Sequence, residues 1–240
     1  MPGTLIFGGT TEGRLAAEKE KGAVVCVSTA YGASLLPPGS DCRVGKLNRQ
    51  EMAALMRELQ PERVIDATHP FAVQVTANIL ACCEELGVPY ERISRPAVPG
   101  DWKSHVRHAE NAGQAAEMLK ETEGHILLTT GSRTLGVYTA AVAAERIWAR
   151  VLPTGEALEL CEQAGIPASH VIAMQGPFSK ELNGALYDQF DIRVMVTKDS
   201  GKAGGVEEKV LPALNREIEV ILIDPPKAEI PGGEAGGKKS

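Results

Sequence analysis

Short runs of aliphatic and β-branched residues alternate with longer amphipathic segments along almost the whole chain. Residues 4–7, 23–28, 63–66 and 90–94 read as strands. Between them, residues 12–21, 49–59 and 71–86 place apolar side chains three to four apart and read as helices. A further short strand is expected at 42–44. The second half repeats the rhythm, with strands expected at 125–129, 146–151, 170–174, 192–197 and 219–223 and helices between them. Such alternation is the signature of βα units wound into parallel sheets. The pattern predicts an α/β protein of two Rossmann-like domains, each a mainly parallel sheet flanked by helices. A Pro- and Gly-rich stretch at 95–101 (RPAVPGD) places the boundary near 96, giving domains at 1–96 and 97–224. The segment 225–240, rich in Pro, Gly and Lys without an apolar period, reads as a flexible tail.

Composition narrows the functional classes. With 25 basic and 31 acidic side chains the net charge is −6, so the chain lacks the overall footprint of a nucleic-acid binder, although a local basic pocket stays open. The five cysteines show no C-x-x-C spacing and lie mostly in apolar stretches, which reads as reduced, inert thiols and no metal site. Neither a signal-peptide pattern nor a long uninterrupted apolar run is present, so a cytoplasmic protein without membrane contact is expected.

In a parallel sheet the functional loops lie beyond the carboxyl ends of the strands, so motifs there carry most weight. The first strand runs into Gly8-Gly9-Thr10-Thr11-Glu12-Gly13-Arg14. Glycines let the backbone approach a phosphate, and the helix that follows offers exposed N–H groups and its positive dipole end. The spacing is GGxxxG, an approximate dinucleotide fingerprint, and a plain tight turn is the alternative. After the second strand, Ser28-Thr29-Ala30-Tyr31-Gly32 carries hydroxyls where an NAD enzyme would carry an acid. Ser28 and Thr29, with Arg14, would suit the extra phosphate of NADP, or the loop simply turns the chain.

Four further strand-end motifs follow. In Ala67-Thr68-His69-Pro70-Phe71, proline fits the first turn of a helix and holds His69 extended, where it can bind an acidic group, donate a proton or act as a cap. Thr129-Thr130-Gly131-Ser132-Arg133 brings Ser132 and a guanidinium able to clamp a carboxylate or phosphate. The sequence Gln175-Gly176-Pro177-Phe178-Ser179 reads as a rigid turn with an N-cap at Ser179. Residues 197–209 (TKDSGKAGGVEEK) concentrate Lys198, Asp199, Ser200 and three glycines in one expected loop, a candidate anion site that is not a Walker A sequence.

Taken in order, LIFGGTTEGR, DATHPFA, TTGSR, MQGPFS and VTKDSGKAGGVEEK resemble the precorrin-6A reductase family, including its cobalt-precorrin branch, over about residues 5–224. The resemblance implies NADPH-dependent reduction of one double bond in the precorrin-6A macrocycle in cobalamin biosynthesis, with a substrate rich in carboxylate arms held between two Rossmann-like domains. On this reading Gly8, Gly9, Thr10, Thr11, Gly13, Arg14, Ser28 and Thr29 hold the cofactor. His69, Ser132, Arg133, Lys198, Asp199 and Ser200 meet the substrate, with Lys198 or His69 assisting protonation. Two alternatives stand beside it: another Rossmann-type enzyme, such as a different NADP-dependent reductase or a methyltransferase, and a non-catalytic dinucleotide-sensing module. The rich polar loops of the second half speak against a pure sensor.

Overall fold

A computed structural model describes residues 3–93 and 100–226. The expected boundary near 96 and nearly all of the expected tail lie outside the described residues. The first sheet contains β1 (Thr4–Phe7), β2 (Val24–Val27), β3 (Asp41–Val44), β4 (Arg63–Asp66) and β5 (Tyr90–Arg92), ordered β3-β2-β1-β4-β5 with every pair parallel. Its helices are α1 (Thr11–Lys19), α2 (Ala30–Ser34), α3 (Arg49–Leu59) and α4 (Val73–Leu86). The second sheet contains β6 (Arg107–Ala109), β7 (His125–Leu128), β8 (Ile147–Val151), β9 (Val171–Ala173), β10 (Ile192–Lys198) and β11 (Glu219–Ile223). Its order is β6-β11-β10-β7-β8-β9, again all parallel. Five helices accompany it: α5 (Ala112–Leu119), α6 (Leu135–Thr139), α7 (Gly155–Gln163), α8 (Lys180–Gln189) and α9 (Val206–Leu214).

Side-chain alternation divides each sheet between two cores. Leu5 and Phe7 face Met52, Met56, Ile79 and Cys83 of α3 and α4, whereas Ile6 turns to the opposite side with Ala16 of α1. In the second sheet Ile126 and Leu128 pack with Leu135 and Tyr138 of α6. Leu127 joins Val206, Val210 and Ala213 of α9 on the other face. Coverage on both faces explains why the central strands read as continuous apolar runs. The five cysteines are free thiols. Burial pushes Cys26 and Cys83 up to about 12, which fits the expected inertness.

Several local expectations change. Strand β6 has no counterpart in the predicted elements, because three residues, RHA, are too few and too polar to show a period. Residues 30–34 are a short helix rather than a loop, with Thr29 as its N-cap. Pro70 does not sit in the first turn of α4. A turn closes first, with Ala72 N–H donating to the His69 carbonyl at 2.8 Å, and the helix starts at Val73. Lys198 is the last strand residue of β10 rather than a loop residue. Residues 206–209 belong to α9, which turns Lys209 inward beside Val206, Val210 and Ala213.

The chain order creates a crevice in each sheet. From β1 the chain leaves along one face through α1, and from its neighbour β4 it leaves along the other through α4, so their carboxyl ends part. The pair β7 and β10 does the same through α6 and α9. At the rim of the first crevice, the fully buried Asp66 ends β4. Its carboxylate accepts from Thr68 N–H (3.0 Å), Thr68 Oγ1 (2.7 Å), Tyr90 Oη (3.0 Å) and the Arg92 guanidinium. Four donors compensate the desolvation of one buried charge and fix the start of the loop that carries His69. Substitution Asp66→Ala leaves Arg92 nearly buried without its carboxylate. We expect a loss of about 3 kcal/mol and a Tm lower by about 6–12 °C in calorimetry.

Candidate active site

The first crevice is built for close backbone approach. Gly9 has φ +105°, and nothing lies within 4 Å of the position a Cβ would take, so its backbone is open to the crevice. A Cβ on Gly13 would meet Gly8 Cα at 2.9 Å, so α1 rests directly against the strand-end loop. The Thr10 hydroxyl accepts from Gly13 N–H at 3.1 Å and donates to the Ala67 carbonyl at 2.7 Å, tying β1, α1 and β4 together. Thr29 is likewise occupied as the cap of α2, accepting from Gly32 N–H at 3.0 Å. A cavity of about 330 Å³ opens here, with Gly8, Gly9, Ser28, Lys46, His69 and Arg133 in its wall. No carboxylate is among the described residues of its wall.

The catalytic candidates gather around Phe71. The His69 and Phe71 rings are 5.8 Å apart, and Lys198 Nζ lies 5.2 Å from the Phe71 centroid on the other side of the junction between the sheets. Burial, then the Arg133 charge, holds the Lys198 ammonium below the ordinary lysine range. His69 Nδ1 accepts from Phe71 N–H at 3.2 Å, so a neutral ring carries its proton on Nε2. Arg133 is largely exposed, 3.6 Å from Glu156, which also pairs with Lys46 of the first half at 3.2 Å. Asp199 is turned away into a 2.7 Å ion pair with Lys103, and Ser200 is buried beside it. Ser132 opens a short 3-10 turn. None of Ser132, Lys198, Asp199 and Ser200 lines the cavities described here.

A larger cleft of about 550 Å³ runs between the two halves. Thr11, Arg14, Tyr31 and Leu35 form one wall. The other comes from the ends of β7, β8 and β9, the 175–178 turn, the 203–205 glycine loop and α9. Ser179 caps α8 as expected, accepting from Leu182 N–H at 3.2 Å. Among the described residues, three cations line this cleft, Arg14, Arg150 and Lys209, and no carboxylate does. Arg14 thus stands apart from Ser28, its expected companion, and donates to Thr11 Oγ1 at 3.1 Å. Arg150 donates to Asn183 Oδ1 at 2.7 Å and stacks over Phe178 at 4.4 Å.

Comparison with known proteins shows the family and the fold. The family described as "Precorrin-6x reductase CbiJ/CobK" matches residues 4–236. The chain belongs to the precorrin-6x reductase family. It is 34% identical to a cobalt-precorrin-6A reductase of Priestia megaterium, over 94% of this chain and 91% of that protein. It is 35% identical to the cobalt-precorrin-6A reductase of Salmonella typhimurium, over 96% and 90%. With the precorrin-6A reductase of Mycobacterium tuberculosis it shares 30% identity over 98% and 93%. A solved structure titled "CobK precorrin-6A reductase" superposes with a TM-score of 0.74 at 26% identity, covering 94% of this chain and 89% of that one.

In this member of the precorrin-6x reductase family, three cavity residues escaped the sequence reading, and each had a signal. Lys46 follows Gly45 at the end of β3, a strand-end position like the others. Arg150 occupies an inward position of β8, where its flanking residues are apolar. Lys209 falls on the same stripe of α9 as Val206, Val210 and Ala213. Both Arg150 and Lys209 are only 7% exposed. Burial, then the Arg150 charge, pushes the Lys209 ammonium down to about 7. Because that folded-state pKa lies below the unfolded one, the charge destabilises the fold fully below about pH 7 and ceases to do so above the ordinary lysine pKa of about 10.4. Substitution Lys209→Met should therefore stabilise the protein near pH 7, by at most on the order of 4 kcal/mol. The advantage over the parent should shrink to nothing by about pH 10.5 in denaturant titrations.

Proposed function

We propose that this chain reduces one double bond of the precorrin-6A macrocycle, metal-free or cobalt-bearing, to the corresponding precorrin-6B, with NADPH as the reductant. The observation that carries the reading is the cleft between the halves, walled by three cations and no carboxylate in a chain of net charge −6. A substrate bearing several carboxylate arms is the complement of such a wall. The glycine crevice opens beside it, so cofactor and macrocycle can meet where the halves face one another.

The first crevice fits a dinucleotide. The open backbone at Gly9, the Gly8–Gly13 contact and the start of α1 make a diphosphate seat, for which Thr10 shapes the loop while its own hydroxyl is occupied. Ser28 and Lys46 share one cavity wall without an acid, which suits a phosphate on the ribose rather than a free 2′-hydroxyl. When bound, NADPH supplies the hydride. The chain's own groups then position the macrocycle and manage the proton. His69, whose Nδ1 accepts from the Phe71 N–H, is one candidate proton donor, and Lys198, held below its ordinary range beside Phe71, is the second at the same junction. The acidic chain, five free thiols and the lack of any described helix long and apolar enough to cross a membrane are consistent with work in the cytoplasm.

Anaerobic mixing with precorrin-6A or its cobalt form should consume NADPH, read at about 340 nm, and give a product heavier by two hydrogens; NADH should serve at least tenfold less well in kcat/KM. Substitution Ser28→Asp places a carboxylate at the end of β2 and should reverse that preference. Tight NADPH binding with no turnover of either macrocycle would remove the substrate assignment. Equal use of NADH would remove the phosphate seat.

A further inference from the structure

Arg150 and Lys209 present two buried cations to one cleft, and neither forms an ion pair with a described residue. Lys209 has no hydrogen-bond or ion-pair partner among the described residues, although it is 7% exposed and lines the cavity. Arg150, equally buried, has one partner, the neutral Asn183. That asparagine is fully buried and is itself pinned, its Nδ2 donating to the carbonyls of Ser179 (2.8 Å) and Glu208 (2.9 Å). Phe178 stacks on the guanidinium from the 175–178 turn. The Arg150 head is thus fixed by α8, α9 and an aromatic face, an arrangement that preorganises a donor fork at the cost of a buried charge.

A buried ammonium without a partner destabilises the protein, and so does placing it beside a second cation. The neighbouring acids relieve it only in part: Asp199 is held by Lys103 at 2.7 Å, Glu208 makes no ion pair with Lys209, and burial and the Arg150 charge outweigh the pull of both. Building the fold offers no reason for this lysine, since its helix stripe is otherwise apolar and its backbone carbonyl already accepts from Tyr187 Oη at 2.9 Å. Features that cost stability and face a cavity belong to binding.

We infer that Arg150 and Lys209 form a two-cation seat for a single carboxylate arm of the macrocyclic substrate. The inference rests on the reading of the cleft as the substrate site. It goes further by naming the side chains that recognise the anion, with Arg150 offering a fixed fork and Lys209 a charge that a bound carboxylate would pair directly. A phosphate of the cofactor has the same oxyanion chemistry, but the glycine crevice, Ser28 and Lys46 lie in the other cavity. Lys209 must be protonated to hold a carboxylate. The groups facing it are Arg150 from β8, Asn183 and Tyr187 from α8, Glu208 on its own helix, and Asp199 with its partner Lys103. Burial and Arg150 set its free-state pKa near 7, so substrate affinity should decline as pH rises above that value.

The test compares the full-length parent with Lys209→Met, Arg150→Met and the double variant, using the natural macrocycle and NADPH. Each single change should raise the KM for the macrocycle at least tenfold and leave the NADPH Kd unchanged; Lys209→Met should also abolish the rise of KM between pH 6 and 9, whereas Arg150→Met should move that rise to higher pH. The double variant should lose less than the product of the two, because both side chains hold one carboxylate. Arg150→Met also loses the contact to Asn183, so Lys209→Met, whose fold is checked by its melting temperature, decides between binding and structure. Unchanged KM in Lys209→Met with a working parent would overturn the seat alone. A weakened NADPH Kd with unchanged macrocycle KM would assign the anion to the cofactor and overturn it too. A parent that neither binds nor reduces the macrocycle would overturn the proposed function together with the seat.

Discussion

All the described strands run parallel within their sheets, and that constraint determines where everything else in the molecule can happen. Parallel pairing sends each connecting segment back across a face, buries both faces and collects every carboxyl-end loop along one edge. Where neighbouring strands send their helices to opposite faces, the edge parts into a crevice. Each sheet has one such place, at β1/β4 and at β7/β10. Phe71 belongs to the loop after β4 yet packs on the core of the second sheet and under Lys198 of β10, so the two crevices share a side chain. Polar loops that the sequence scatters over more than a hundred residues meet there for reasons of topology.

Charge is distributed against the average. A chain of net charge −6 could have surrounded its cavities with acids, yet both principal cavities have cationic walls and no carboxylate. Some of the surface acids form ion pairs, such as Glu85 with Arg57 and Asp188 with Arg216. Exposed pairs of that sort contribute little to stability. What bears on an anion is placement: the acids lie away from the described cleft wall, whose low-dielectric surroundings preserve the attraction of its cations.

The fold was legible because central parallel strands give apolar runs and amphipathic helices a clear period, and α3 appears with its expected bounds. What escaped was short or polar: the three-residue β6, whose order follows from pairing with β11, and the five-residue α2, whose Thr29 cap looks like any loop hydroxyl. At the site the glycine loop was readable because glycine and strand-end placement coincide. Thr10 and Thr29 illustrate the limit, since sequence shows a hydroxyl but not whether the backbone already uses it. Asp199 shows the same for charge, its partner Lys103 being nearly a hundred residues away in the chain.

Arg150 and Lys209 invert the lesson. Each breaks a local rule that its neighbours obey, a charge at an inward position of a doubly buried strand and a charge in the apolar stripe of a helix. A motif search passes over them, since neither belongs to a glycine loop with phosphate spacing and Lys209 looks like the polar end of one. Their mark in the sequence is a charge at a position whose period calls for an apolar side chain. Strand-end motifs identify the parts of a site that are built from backbone, which tolerates few residue types. Side chains that recognise a substrate project from the middle of regular elements, and there the sequence records them only as exceptions to the pattern.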